Sequence, residues 1–179
     1  MNDLSLLRHF DRRSLKRLVF SAAAVIWCGF IFYMSSQDGT ESSLTSGGFI
    51  SFLCRIFMPG FAGFDDASRA AVISDLQFIV RKCAHFTAYL ILAFFMVQVF
   101  LALPRPKKLF YRCLFAWIFC VLYAVSDEIH QSFVPGRAMQ LRDMAIDSCG
   151  ALLGVFVSLG ISYISMKLHK RRQRKQDKA

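Results

Sequence analysis

Of the chain's 179 residues 55% are hydrophobic, and its mean hydropathy is +0.43. The apolar residues come in continuous blocks instead of alternating, which excludes both an ordinary soluble domain and a lipid-facing barrel. The formal net charge is +10, but the basic residues sit between and beyond the apolar blocks, where membrane topology accounts for them without a nucleic-acid partner.

In chain order, a basic segment 1–17 comes first, with Arg8, Arg12, Arg13, Lys16 and Arg17. The block Leu18–Met34 is then charge-free for 17 residues. Its end, "FYMSSQ", lacks a small-x-small cleavage site, so it reads as a retained anchor and not a signal peptide. In the following segment, Ser35–Lys82, "GGFISFLCRIFMPGFAGF" is apolar but too short to span before Pro59 and Gly60 break it. It is expected to lie in the interface or dip back into the bundle. "FDDASRAAVISDLQFIVRK" reads as an amphipathic helix leading into the second span.

The second block, Cys83–Leu103, has His85 as its only ionisable group apart from cysteine and tyrosine. A short loop with Arg105, Lys107, Lys108 and Arg112 leads into the third block, Leu109–Ser126. The charged stretch "SDEIHQSFVPGRAMQLRD" separates it from the fourth, Met144–Met166, in which Asp147 is the only charged residue. Each block approaches the roughly 20 residues that cross about 30 Å of hydrocarbon. The expectation is an all-α polytopic membrane protein with four transmembrane helices in a single domain, 18–166, followed by a basic tail, 167–179. Five Lys/Arg precede the first span, four lie in the loop before Cys113 and seven in the tail, of 22 in the chain. These segments are expected to face the cytosol, with 35–82 and 126–143 outside. Six cysteines at 28, 54, 83, 113, 120 and 149 form no CxxC pair and read as small apolar packers.

Helical geometry sorts the polar residues. Lys82, His85 and Tyr89 share one stripe, flanked by Arg81. Asp143 and Asp147 stand one turn apart above Gly150 and Gly154, a small-xxx-small pattern that lets a neighbouring helix approach closely. Tyr123, Asp127 and His130 fall along one face, with Glu128 pointing about 100° away from Asp127, so one of the two carboxylates is expected to aim directly inward. Pro135 and Gly136 turn the chain and leave Arg137 on a tight loop. Charge at membrane depth is expensive and is kept where it pairs or works. His85 and Asp147, the deepest cases, either pair with each other or with Arg81 and Lys82 to lock helices together, or belong to a site.

"RKCAHFTAYLILAF", "YAVSDEIHQSFVPGRAMQLRDMAIDSCGALLG" and the earlier "MSSQ" together resemble the VanZ-like membrane proteins. The resemblance covers roughly Ile31 to Gly154. Matched position by position, it implies that Lys82, His85, Tyr89, Asp127, Glu128, Gln131, Arg137, Asp143 and Asp147 form the polar signature. It further implies a bacterial cytoplasmic-membrane protein; the family's founding member is associated with low-level resistance to the glycopeptide teicoplanin. No biochemical activity comes with the resemblance.

Three functions are open at this stage. One is an outward-facing polar pocket that binds an anionic lipid, envelope-precursor headgroup or glycopeptide through Arg81, Lys82, Tyr89, Gln131, Arg137, Asp143 and Asp147, and so modulates the envelope or antibiotic susceptibility. The second is a membrane enzyme acting on such a lipid, with His85, Glu128 or Asp127 in acid–base roles and Arg137 clamping a phosphate. The third, an ion-coupled transporter, is disfavoured by four spans without duplicated broken helices. The spacing matches no standard zinc signature, and neither metal nor cofactor is expected. Oligomerisation stays open.

Overall fold

The computed structural model describes residues 12–105 and 107–176. The outermost parts of the two basic ends, 1–11 and 177–179, lie outside the described residues. Five helices follow in order: α1 (Arg12–Ser36), α2 (Gly39–Phe57), α3 (Asp66–Ala102), α4 (Leu109–Gln131) and α5 (Leu141–Gln176), with a short 3-10 turn at Phe61–Gly63. No strand occurs among the described residues.

Four segments are long and apolar enough to cross a membrane: Ser14–Ser36, Asp66–Ala102, Leu109–Gln131 and Leu141–Leu168. The chain is a multi-pass membrane protein. Its outward faces carry large apolar side chains, Val25 and Ile26 among them at 71% and 72% exposed, an arrangement suited to lipid and costly in water.

α3 is the central element, and α5 packs along it in parallel. Phe86 meets Gly150, Leu90 meets Gly154, and Phe94 meets Ser158, each pair 64 positions apart. Such a constant offset is what two parallel helices of equal rise produce. The contact is close because the glycines lack a side chain: a Cβ at Gly150 or Gly154 would lie 2.2 Å from the carbonyl oxygen of Phe86 or Leu90. The expected small-xxx-small seam is therefore present, and its partner is α3.

α1 docks antiparallel on α3, where the Trp27 indole N–H donates to the Ala88 carbonyl at 2.8 Å. α4 is tied to α1 by Tyr123 Oη donating to the Cys28 carbonyl at 2.7 Å, and to α5 by Trp117 Nε1 donating to the Ser148 carbonyl at 3.1 Å. In an apolar medium these donors have no water to turn to, so each finds a backbone carbonyl. Tyr89, Leu92, Val97, Ala116 and Cys120 fill the core between the helices.

The segment after the first span is more regular than its sequence suggests. α2 begins at Gly39, upstream of the apolar stretch, because Asp38 Oδ1 accepts from the amides of Thr40 and Glu41, both at 2.8 Å. α2 runs back along the first half of α3, burying Ile50 and Cys54 against Val72, Ile73 and Leu76. Gln77 Nε2 donates to Ser43 O and Ser46 Oγ, both at 2.9 Å. The amphipathic helix expected before the second span is continuous with that span, forming one helix of 37 residues, about 55 Å long. The α1–α2 corner meets the α4–α5 loop: Gly39 N donates to Pro135 O at 3.2 Å, and Gly136 adopts a left-handed φ of 73°. A Cβ at Gly39 would sit 2.9 Å from Gly136 O.

Candidate functional site

The glycine seam brings the polar stripe of α3 against that of α5. Lys82 Nζ forms an ion pair with Asp143 Oδ1, both side chains largely buried. One turn deeper, His85 Nδ1 lies 3.7 Å from Asp147 Oδ1, an ion-pair contact longer than a hydrogen bond. Asp147 is fully buried, and neither of its carboxylate oxygens has a hydrogen-bond partner among the described residues; the same holds for the Tyr89 hydroxyl. Of the pairings open from sequence, His85 with Asp147 is the one realised, and Lys82 takes Asp143 instead.

At the end of α4 the expectation that one carboxylate points inward needs correction. Asp127 and Glu128 are 4% and 0% exposed. They turn to different neighbours. Asp127 Oδ2 accepts from Gln131 Nε2 at 3.2 Å, and the same amide donates to Ser35 Oγ of α1 at 2.7 Å. Glu128 Oε2 accepts from the Gln140 amide at 2.8 Å, in the loop leading to α5, while its Oε1 has no partner among the described residues. His130 does not join the cluster: its ring stacks on Phe32 at 4.5 Å and its Nε2 lies 3.1 Å from Ser36 Oγ.

A cavity of about 590 Å³ lies in the corner between α1, α2 and α3, within the size range of small-molecule sites. Arg81, His85, Tyr89, Asp127 and Arg137 line it. Lys82, Glu128, Gln131, Asp143 and Asp147 do not; of these, Gln131 touches the wall through Asp127 and Asp147 through His85. Among the described residues neither Arg81 nor Arg137 makes an ion pair. Among the described residues the Arg137 guanidinium donates only a long hydrogen bond to Met34 O, at 3.4 Å, and its Nε has no partner. Burial first, and the neighbouring charge of Arg81 second, push the Arg137 guanidinium below its ordinary value, against the opposing pull of Asp127, Glu128 and Asp38. Among the described residues no three of His, Cys, Asp and Glu are grouped to hold a metal ion.

Sequence reasoning missed the contribution of α2, whose Ser42, Thr45 and Ser46 line the cavity, and that of Ser35. Ser35 sits in the "MSSQ" stretch, so a signal existed for it. Nothing in the sequence of α2 marked it as a wall.

Residues 20–163, more than half of the chain, match the VanZ/LLP1 family. The chain belongs to that family. No curated protein and no solved structure matches it. The span shared with the VanZ/LLP1 family takes in all four membrane-crossing segments except their ends, and every candidate residue from Arg81 to Asp147.

Proposed function

We propose that this VanZ/LLP1 chain binds an anionic headgroup, of a lipid or envelope precursor, at the outer side of a bacterial cytoplasmic membrane, and through it modulates envelope composition or glycopeptide access. The observation that carries this reading is a pair of arginines, Arg81 and Arg137, lining one cavity with no carboxylate at ion-pair distance among the described residues. A guanidinium presents planar donors that match a phosphate bidentately, and two of them side by side are electrostatically costly until an anion separates them. The nearby carboxylates hold other partners: Asp143 has Lys82, Asp127 has Gln131 and Glu128 has the Gln140 amide. Both basic ends and the 104–112 loop are assigned to the cytosol by the positive-inside rule, which puts the cavity mouth outside.

Native mass spectrometry of the purified chain with phosphatidylglycerol and phosphatidylcholine tests this. Arg137→Gln is expected to weaken retention of the anionic lipid about tenfold, with Arg137→Lys intermediate because a lysine cannot make the bidentate contact. Equal retention of both lipids by the unaltered chain sinks the reading.

One observation favours the enzymatic alternative. His85 lines the cavity with a buried carboxylate behind it, the arrangement that orients an imidazole for proton transfer. Glu128 does not line the cavity, so His85 is the better-placed base. Incubating the chain and its His85→Gln variant with envelope lipids separates the readings: a product formed only by the parent chain establishes turnover, and no product across the panel leaves binding.

A further inference from the structure

We infer that the cavity takes a hydrocarbon chain as well as a headgroup, so that the ligand is a membrane lipid lying with its acyl chain in the seam between α1 and α3. This deepens the anion-binding reading by choosing its ligand class. Away from the arginines the lining continues along two helices and is mostly apolar: Phe30, Ile31 and Trp27 on α1, Ala84, Ala88 and Ile91 on α3, with His85, Thr87 and Tyr89 among them. The antiparallel register makes these two rows run together. Arg137 reaches Met34 O at one level, and Trp27 reaches Ala88 O further down. From Met34 to Trp27 is seven residues of α1 and from Arg81 to Ile91 ten of α3, or about 10 and 15 Å of rise.

Half of a hydrocarbon layer of about 30 Å is the depth of the α3 row, and the α1 row covers about two thirds of it. The apolar seam thus reaches through one leaflet from the level of the guanidiniums, the geometry of a phospholipid with its phosphate at the boundary. A free phosphate or a sugar headgroup would leave this wall unused. A soluble peptide would have to desolvate its backbone against it, at several kcal/mol per unpaired group.

Trp27 lines the seam and serves as the reporter, since the chain has only one other tryptophan, Trp117. A Trp117→Phe chain in detergent is titrated with phosphatidylglycerol brominated on its acyl chains, with equally brominated phosphatidylcholine, and with glycerol phosphate as competitor. Quenching of Trp27 by the anionic lipid is expected to saturate at about one lipid per chain. Ala84→Phe and Thr87→Phe, both at exposed positions that line the cavity, are expected to weaken it about tenfold. Two positions are used so that one misfolded variant does not decide the matter.

Quenching that never saturates, or that both filled variants retain, overturns the inference. If glycerol phosphate binds in an Arg137-dependent way while the brominated lipid does not quench, the acyl-chain inference fails and the headgroup reading stands. If brominated phosphatidylcholine quenches as well as the anionic lipid and Arg137→Gln changes nothing, the seam holds a chain and the headgroup reading fails.

Discussion

Lys82 and Asp143 have side chains 17% and 9% exposed, and in that setting each charge depends on the other. Removing one leaves a buried ion without a partner, so Lys82→Met is expected to destabilise the chain by about 3–5 kcal/mol in mixed-micelle unfolding. Lys82→Met combined with Asp143→Leu should recover most of that loss, because an apolar pair of similar volume replaces the ion pair. A double variant as unstable as the single one would show that the pair serves something other than its own neutralisation. His85 and Asp147 make a looser pair at 3.7 Å. Its carboxylate oxygens, free of hydrogen bonds among the described residues, are an expense that a purely structural contact does not explain, and this keeps His85 in view as a working residue. The sequence showed that Lys82 shares a stripe with His85 and Asp143 one with Asp147, since positions one turn apart on a helix can be read by spacing alone; that the two stripes face each other came from the packing of α3 on α5. It could not show that Glu128 is buried, because the amide that holds it, that of Gln140, lies in the loop leading to α5 and not on its own helix.

Among the elements, α3 and α5 are held at a separation only glycine permits. Gly150→Ala puts a methyl 2.2 Å from Phe86 O and is expected to cost about 1–3 kcal/mol through forced separation of the helices. Gly160→Ala is the control, since nothing lies within 4 Å of its Cβ position, and it should not lower stability. Unfolding of both variants in the same detergent compares them directly. If Gly150→Ala matches Gly160→Ala, the seam is not what sets the helix spacing. Because Lys82–Asp143 and His85–Asp147 sit on the same two helices, Gly150→Ala should also loosen those pairs, while Gly160→Ala should not. The glycine pattern was visible in the sequence with its consequence, a close neighbour, though not the neighbour's identity. α2 was less visible. Its start depends on the Asp38 cap, and its docking on polar contacts from Gln77 that hydropathy does not register.

For the whole molecule, the α1–α2 corner and the α4–α5 loop share one end through Gly39 and Pro135. The turn at Phe61–Gly63 and the loop before α4 are expected on opposite sides of the membrane, with the former outside. In a chain freed of its six cysteines, Gly63→Cys should react with an impermeant maleimide in intact cells, and Lys108→Cys only after lysis. The reverse pattern would put the cavity mouth in the cytosol and remove the outer leaflet as the source of its ligand.

The sequence by itself determined the number of spans and the polar residues that lipid could not be left to solvate, because each follows from composition and period within a single helix, and its motifs carried the family resemblance. Which of those residues reach the cavity was decided only in three dimensions. Arg81 and Arg137 are 56 positions apart and meet because α1 ends, α2 turns back and the α4–α5 loop closes over the corner they leave. Lys82 is adjacent to Arg81 in sequence and still faces α5 instead. Neighbouring positions on a helix point about 100° apart, and only the packing of the other helices determines what each direction meets.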